Sequence, residues 1–487
     1  MRPLILTTMV LFISCSMLAA AIGPAHTQSL DIAVNDYGLS FGNSCCMRGI
    51  RINFSDRYVD EVIGINITLW RPRSNPGAVI EGLAVGLAAP LADEMSGIAV
   101  GGAAVVANSS LSGLALAGIA VVSEGTTNGL TVGGLASVSG DDFSGISVAG
   151  LASVSDGAVS GISVGGLASV MDGDLSGISI GGLAAVTSGS LSGITAGGLA
   201  AVCDGSVNGI TIGGLAAVTE GDLSGISVGG LATVVDGSVN GVMASALANV
   251  SNGDMSALSF SGLATVSNGD IRGAVASGLA TVSNGDLIGI AISGLATVSN
   301  GDFTGVSVTG LVEVSGGSFD GIGINGLAAI SQDDITGLRL CGGGISSSGH
   351  LTGINIGGIG AAAYFEDEDE HGLIYFGIEA RSARWLTVHG VDIEIAERIE
   401  GLAASGILLR AGEIRGLSAA SILVKAHSLE GVSIGAVNHY DELQVGLTIG
   451  IVNFAERLNG IQLGLINIAR NNRSPFRVLP FVNAHFE

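Results

Sequence analysis

The chain of 487 residues is poor in positive charge, in aromatic residues and in long apolar runs, and each shortage excludes a class of protein. Eighteen basic residues face 42 acidic ones, a net charge of −24 that opposes binding to nucleic acid or anionic lipid. Aromatic residues make up 4% of the chain, and the repeated segments described below lack the aromatic girdles of membrane barrels. Past the first 29 residues no uninterrupted apolar stretch reaches the ~20 residues of a spanning helix. Five cysteines (Cys15, Cys45, Cys46, Cys203 and Cys341) are too scattered for a disulfide framework. Cys45 and Cys46 suggest a redox or metal pair, but adjacent cysteines bridge each other only with strain and no CxxC spacing is present. Packed or separately paired thiols in a cap are expected.

What is present in excess is glycine, 80 residues without a Gly-X-Y triplet, which excludes collagen; the 47% apolar content excludes simple disorder. The glycines belong to a repeat. "GLAxVSxGDLSGISVG" recurs every 16 residues, tracked by a column running from Leu135 and Leu151 through Leu183 and Leu247 to Leu327. Five regions follow: a secretory leader (1–29), an N-terminal β cap (30–80), the 16-residue array (81–360), an acidic loop (361–370) and a C-terminal β repeat region and cap (371–487). The leader rests on Arg2, the apolar Leu4–Leu18 stretch and the small residues Ala19 to Ala21 and Ala25. A lipoprotein reading would use Cys15, but Phe12 fits that motif poorly.

Glycine and β-branched residues disfavour helix in every repeat, so the elements are short strands, with turns at Ser-Asn-Gly-Asp from Ser251, Ser267, Ser283 and Ser299. The expected fold is an all-β, Gly-rich β-solenoid with one coil per 16 residues. Its coil has two similar flanks, with Leu151 turned inward beside Ile146, Val148 and Val154 and the Ser, Thr, Asn and Asp residues outside. The alternative is an antiparallel transmembrane β-barrel, in which the Leu151 and Phe143 columns would line an aqueous lumen at a cost in apolar hydration. Gly343 and Ser346 make the coil around Cys341 to His350 degenerate. Beyond it, glycines recur 15 residues apart at Gly401, Gly416, Gly431 and Gly446, and repeated asparagines (Asn438, Asn453, Asn467) suit a turn or a stacked amide ladder.

Candidate chemistry is sparse. The Asp column (Asp174, Asp222, Asp254, Asp270, Asp286, Asp302) and the run Glu366 to Glu370 suggest calcium, but neither the GGxGxD nonapeptide nor EF-hand spacing is met, and solvated carboxylates are expected. His350, His371, His389, His427, His439 and His485 lie in no catalytic spacing. No catalytic, cofactor or metal residue is assigned, and no enzyme activity is expected; a site between His371 and His439 is the remote alternative.

The segment "GLTIGIVNFAERLNGIQLGLINIARNN" followed by "LPFVNAHF", together with "GINITLW" before the Gly-Leu array, resembles a family of uncharacterised, secreted bacterial surface-repeat proteins. The resemblance implies an exported protein at the outer membrane or cell surface of a Gram-negative-type bacterium, with a surface or outer-membrane component as partner. It implies no activity or active-site residue. The function expected is that of a structural or interaction protein, the alternative an integral outer-membrane barrel acting as a pore.

Overall fold

The computed structural model describes residues 29–70, 73, 75–359, 362–364, 373–375 and 377–486. The leader, the acidic run Glu366 to Glu370 and His371 lie outside them. Two compact units divide the chain, 1–154 and 155–487, each all-β. Within each, strands one coil apart pair in parallel and in register: Leu175 faces Leu191 in the second unit as Phe143 faces Thr127 in the first. Parallel pairing at a fixed offset makes a β-solenoid; the neighbours in a membrane barrel run antiparallel. The barrel alternative is therefore set aside.

The coil Leu175 to Ser190 shows how the sequence produces this. A long strand, Leu175–Gly181, is followed by the link Gly182-Leu183 and a short strand, Ala184–Thr187. The long strand bends at Gly177, where φ is +142°. A Cβ there would run into the carbonyl oxygen of Gly161 one coil back, so no side chain fits. The same conformation recurs from Gly38 to Gly460 and is taken by Trp385 at φ +89°, whereas Ala257, standing at the same place in its coil, does not adopt a positive φ.

The inside of the coil corrects the sequence reading. Leu175, Ser179, Gly181, Ala185 and Thr187 are buried, whereas Leu183 and Ile180 are exposed. In the preceding unit Leu151 is 43% and Ile146 42% exposed, Val148 is exposed and Val154 half-buried, while Ser147, Ser153 and Phe143 lie inside. The strands keep their alternation around the coil, and only the Leu column departs from it, swinging outward at the link. The physical reason is width. The two sheets approach so closely that a Cβ at Gly181 would collide with the carbonyl of Ala184, and small hydroxyls bond across the gap: Ser147 Oγ to Ser153 Oγ at 2.8 Å, Ser163 Oγ to Ser169 Oγ at 2.8 Å. One column of large residues at the turn side, including Leu191, Leu223, Phe303 and Phe319, completes the core; the two phenylalanine rings stack at 4.8 Å.

The first unit begins with a hairpin, β1 (Ser29–Val34) and β2 (Tyr37–Gly42), antiparallel around Asn35 and Asp36, both at positive φ. From β2 onward pairing is parallel, so the predicted N-terminal cap joins the stack, first through β3 (Cys46–Asn53) and β4 (Glu61–Thr68). There Asp56 is buried with Arg51, Asn53, Asn66 and Thr68 as hydrogen-bond donors. Val62, Ile80, Met95, Leu111 and Val121 belong to one buried apolar cluster that runs through the following coils. At the other end of the chain, Val478–His485 pairs antiparallel with Val452–Ala469 and covers a strand edge that would otherwise recruit another chain.

A second departure from small interior residues occurs at Arg339, fully buried and paired with Glu313. Its guanidinium lies 3.3 Å from the centre of the Phe319 ring and in the space that Gly323 leaves free. Burial lowers the Arg339 pKa, and Glu313 opposes the shift.

Two outcomes follow for stability. Gly193→Ala should lower the thermal midpoint measured by circular dichroism, at a local cost on the order of 1–3 kcal/mol, while Ser192→Ala on the exposed neighbour leaves it unchanged. Glu313→Thr, which strands a buried guanidinium, should cost about 3–5 kcal/mol. Glu313→Thr combined with Arg339→Ser, placing there the residue types found at Thr297 and Ser307 in earlier coils, should recover most of that loss in the same melt.

Candidate functional surface

In the 16-residue array of the second unit the coils have two unlike edges. At the turn edge, carboxylates accept backbone amides of the next coil: Asp174 Oδ1 from Ser190 N at 2.7 Å, Asp270 Oδ1 from Asp286 N at 2.9 Å, Asp302 Oδ1 from Ser318 N at 2.7 Å. Exposed asparagines beside them form an amide ladder, with Asn268 Nδ2 donating to Asn252 Oδ1 at 2.8 Å and Asn284 Nδ2 to Asn268 Oδ1 at 2.8 Å. The Asp column thus has a structural task, tying turns together while placing negative charge along one edge.

The opposite edge is apolar. The Leu column projects at the link, bordered on the long-strand face by pairs such as Ile210 and Ile212 or Ile290 and Ile292, and on the short-strand face by the half-buried Val186 column. The polar outer strand faces expected from the sequence are therefore found only in part: the serines and threonines of the Ser179 and Thr187 columns point inward, and outward polar groups are confined to the turns and to the first outward position of the long strand, as at Ser176, Ser192 and Asn208. Sequence reasoning missed this because it assigned the interior by hydropathy. The signal that was available was the uninterrupted alternation of Phe143, Ser147, Ser153 and Ser155, all on one face.

The other sequence candidates fall into separate places. Cys45 and Cys46 remain free thiols, and the fold brings Asp60 to them, with Cys46 Sγ 4.0 Å from Asp60 Oδ2. The donor atoms of these three residues lie within 4.8 Å of one another. Two thiols and a carboxylate leave a tetrahedral zinc site one ligand short. Burial, Cys45 and Asp60 push the Cys46 thiol up to about 11, which keeps it protonated at neutral pH. Cys203 and Cys341 are buried, and burial raises both thiols.

His350 Nδ1 lies 2.6 Å from Ser382 Oγ on the surface, and His427 and His439 approach Asp441 together with Lys425. His439 stacks on Phe454 at 4.5 Å; desolvation raises the Asp441 carboxyl, and the His439 hydrogen bond with Lys425 nearby outweighs it and holds the carboxyl below its usual range. This cluster is an aspartate flanked by Lys425 and two histidines, with no nucleophile placed by it. His389 is buried over the glycine-poor-in-side-chain coil at Gly343 and Gly357; its Nδ1 accepts from Val391 N at 3.0 Å and its Nε2 lies 3.3 Å from the Gly343 carbonyl. Asn438, Asn453 and Asn467 form a buried amide ladder with steps of 2.8 and 2.7 Å, the stacked arrangement their spacing suggested.

Fold and surface define a class, a parallel β-solenoid with one acidic and one apolar edge. No protein family matches the chain, and neither a curated protein nor a solved structure matches it. Among the described residues no helix is long and apolar enough to cross a membrane.

Burial lowers the His389 pKa from its ordinary 6.5. The unfolded chain therefore takes up this proton first, and stability is lost as pH falls through 6.5 toward the lower folded value. Thermal midpoints measured from pH 7.5 down to 5 should fall in the wild type and fall less in His389→Gln. Asp392, raised by burial, acts with the opposite sign in the more acidic carboxylate range.

Proposed function

We propose that the chain is an exported structural or interaction protein of a bacterial cell surface or outer membrane, with no catalytic task. The observation that carries this reading is the two-edged coil: through the 16-residue array the same apolar link recurs as far as Leu327, opposite turns most of which carry aspartate, a regular surface suited to repeated contacts rather than to one reaction centre. The leader pattern, the resemblance of the C-terminal segment to secreted surface-repeat proteins and the strong net negative charge support it. The partner on this reading is a surface or outer-membrane component, held by many equivalent contacts.

The test is cell fractionation of the producing bacterium. The protein should leave the cytoplasm with residues 1–29 removed, be cleaved by protease added to whole cells, and be released from envelopes by carbonate without detergent. Cytoplasmic retention of the intact chain, or a hydrolase activity abolished by one substitution within the cluster His427, His439 and Asp441, would overturn it.

A further inference from the structure

The long-strand face of the second unit carries one feature that breaks its regularity. Down one outward column the residues are Ile212, Val228, Ala244, Phe260, Ala276 and Ile292. Phe260 is 51% exposed and is the one exposed aromatic side chain in the span 155–359. Alanines stand one coil to either side of it. The result is a knob flanked by two dents, together an open depression of about 540 Å³ lined by Val228, Ala244, Phe260, Ala276 and Ile292 among others.

We propose that this face binds a second copy of the chain, with Phe260 of each copy seated over Ala276 of the other. The inference rests on the reading of the chain as an interaction protein and supplies the partner. A two-fold axis lying in the interface, parallel to the strands and midway between the rungs of Phe260 and Ala276, carries each knob onto the other copy's dent. An isologous contact needs just such a patch, in which residue i meets residue j and j meets i. Neighbouring rungs are about 4.8 Å apart in both copies, so the remaining Ile and Val rows come into step once the knob is placed.

The extent of the face is sufficient. From Val159 to Leu351 the rungs, 16 residues apart, span about 60 Å, and the outward part of the strand is about 13 Å wide. That is on the order of 800 Å², the area per partner of a stable dimer. Charge favours the same arrangement. The carboxylates of Asp174, Asp222, Asp254 and Asp286 lie on the turn edge rather than between the apolar rows, so pairing the faces brings no acidic row between them.

Lipid is the less suitable occupant. Membrane-facing surfaces carry Trp, Tyr, Lys or Arg at their borders, and the span 155–359 has no Trp, Tyr or Lys and only two arginines. Of these, Arg339 is buried and Arg272 is paired with Asp270. A small-molecule ligand would find few polar groups in the depression: Ser261 and Ser277 hydrogen-bond to each other inside the coil at 3.1 Å, which leaves the buried Ser245 hydroxyl as the one lining serine side chain without a partner.

The test uses the full mature chain in detergent-free buffer. Sedimentation equilibrium should give twice the chain mass at micromolar concentration. Phe260→Asp should weaken association at least tenfold with an unchanged circular dichroism spectrum, as expected for a substitution on the outer face. Chains carrying Phe260→Cys mixed with chains carrying Ala276→Cys should form a disulfide-linked pair under mild oxidation, and chains carrying Ser192→Cys should not. A wild-type monomer across this range, or a dimer insensitive to Phe260→Asp that gives no mixed disulfide, overturns the proposal. A monomer that co-sediments with phosphatidylcholine vesicles in a Phe260-dependent way also overturns it, while leaving the interaction reading standing. Cytoplasmic retention in the fractionation above would instead remove the surface assignment and leave the dimer measurement valid.

Discussion

The structure depends on a steric exclusion at one backbone position per coil. Where the long strand bends, a Cβ would occupy the place of the carbonyl oxygen one coil back, and the φ there is one that only glycine adopts cheaply. Glycine at that bend lets successive coils sit directly on one another, with every strand amide paired to its counterpart. The stacking fixes the rise, and the rise in turn makes like residues meet like: Phe303 meets Phe319, Asn268 meets Asn252, and each turn aspartate meets the next turn's amide. The ladders are consequences of the bend rather than independent devices.

A thin coil follows from the same geometry. The gap between the two sheets takes mostly Ser, Thr, Ala and Gly, some of whose hydroxyls bond across it while Thr195, Thr211 and Ser227 find no partner there; large side chains are concentrated at the turn side, with Met171 and Met243 as exceptions within the gap. Exceptions are compensated across coils rather than within one. Arg339 is possible because Gly323 vacates its place and Glu313 and Phe319 receive it. His389 is possible where Gly357 leaves room beside the backbone amides of Val391 and Asp392. Each exception ties together coils distant in sequence, so its removal is felt at more than one step of the stack.

With the small polar residues consumed inside, the apolar ones are left outside. Repetition turns that local outcome into a continuous apolar edge opposite an acidic one, and a surface of this kind in water is completed by contact with something else. In the C-terminal part of the second unit the exterior changes character: arginine and glutamate rows pair between coils, as in Arg398 with Glu413 and Arg384 with Glu400. These pairs are exposed and screened by solvent, so their effect is more on solubility and register than on stability.

The period, the all-β class, the parallel stack and the structural use of the repeated Asn and Asp residues were legible in the chain, because a fixed 16-residue spacing and glycine-rich turns admit few architectures. Cys45 and Cys46 could be noticed, but Asp60 beside them could not, since it reaches them from a neighbouring coil. Which side of the strand faces inward was likewise hidden. Hydropathy assigns Leu151, Ile146 and Val148 to a core, and that rule holds when a core has room for them. Only the tertiary structure decides the room: the distance between the two sheets, set by the glycine bend and the Gly-Leu link, admits serine and excludes leucine. The sequence by itself determined how the chain repeats; the width of the folded coil determined which half of each repeat the protein presents to its surroundings.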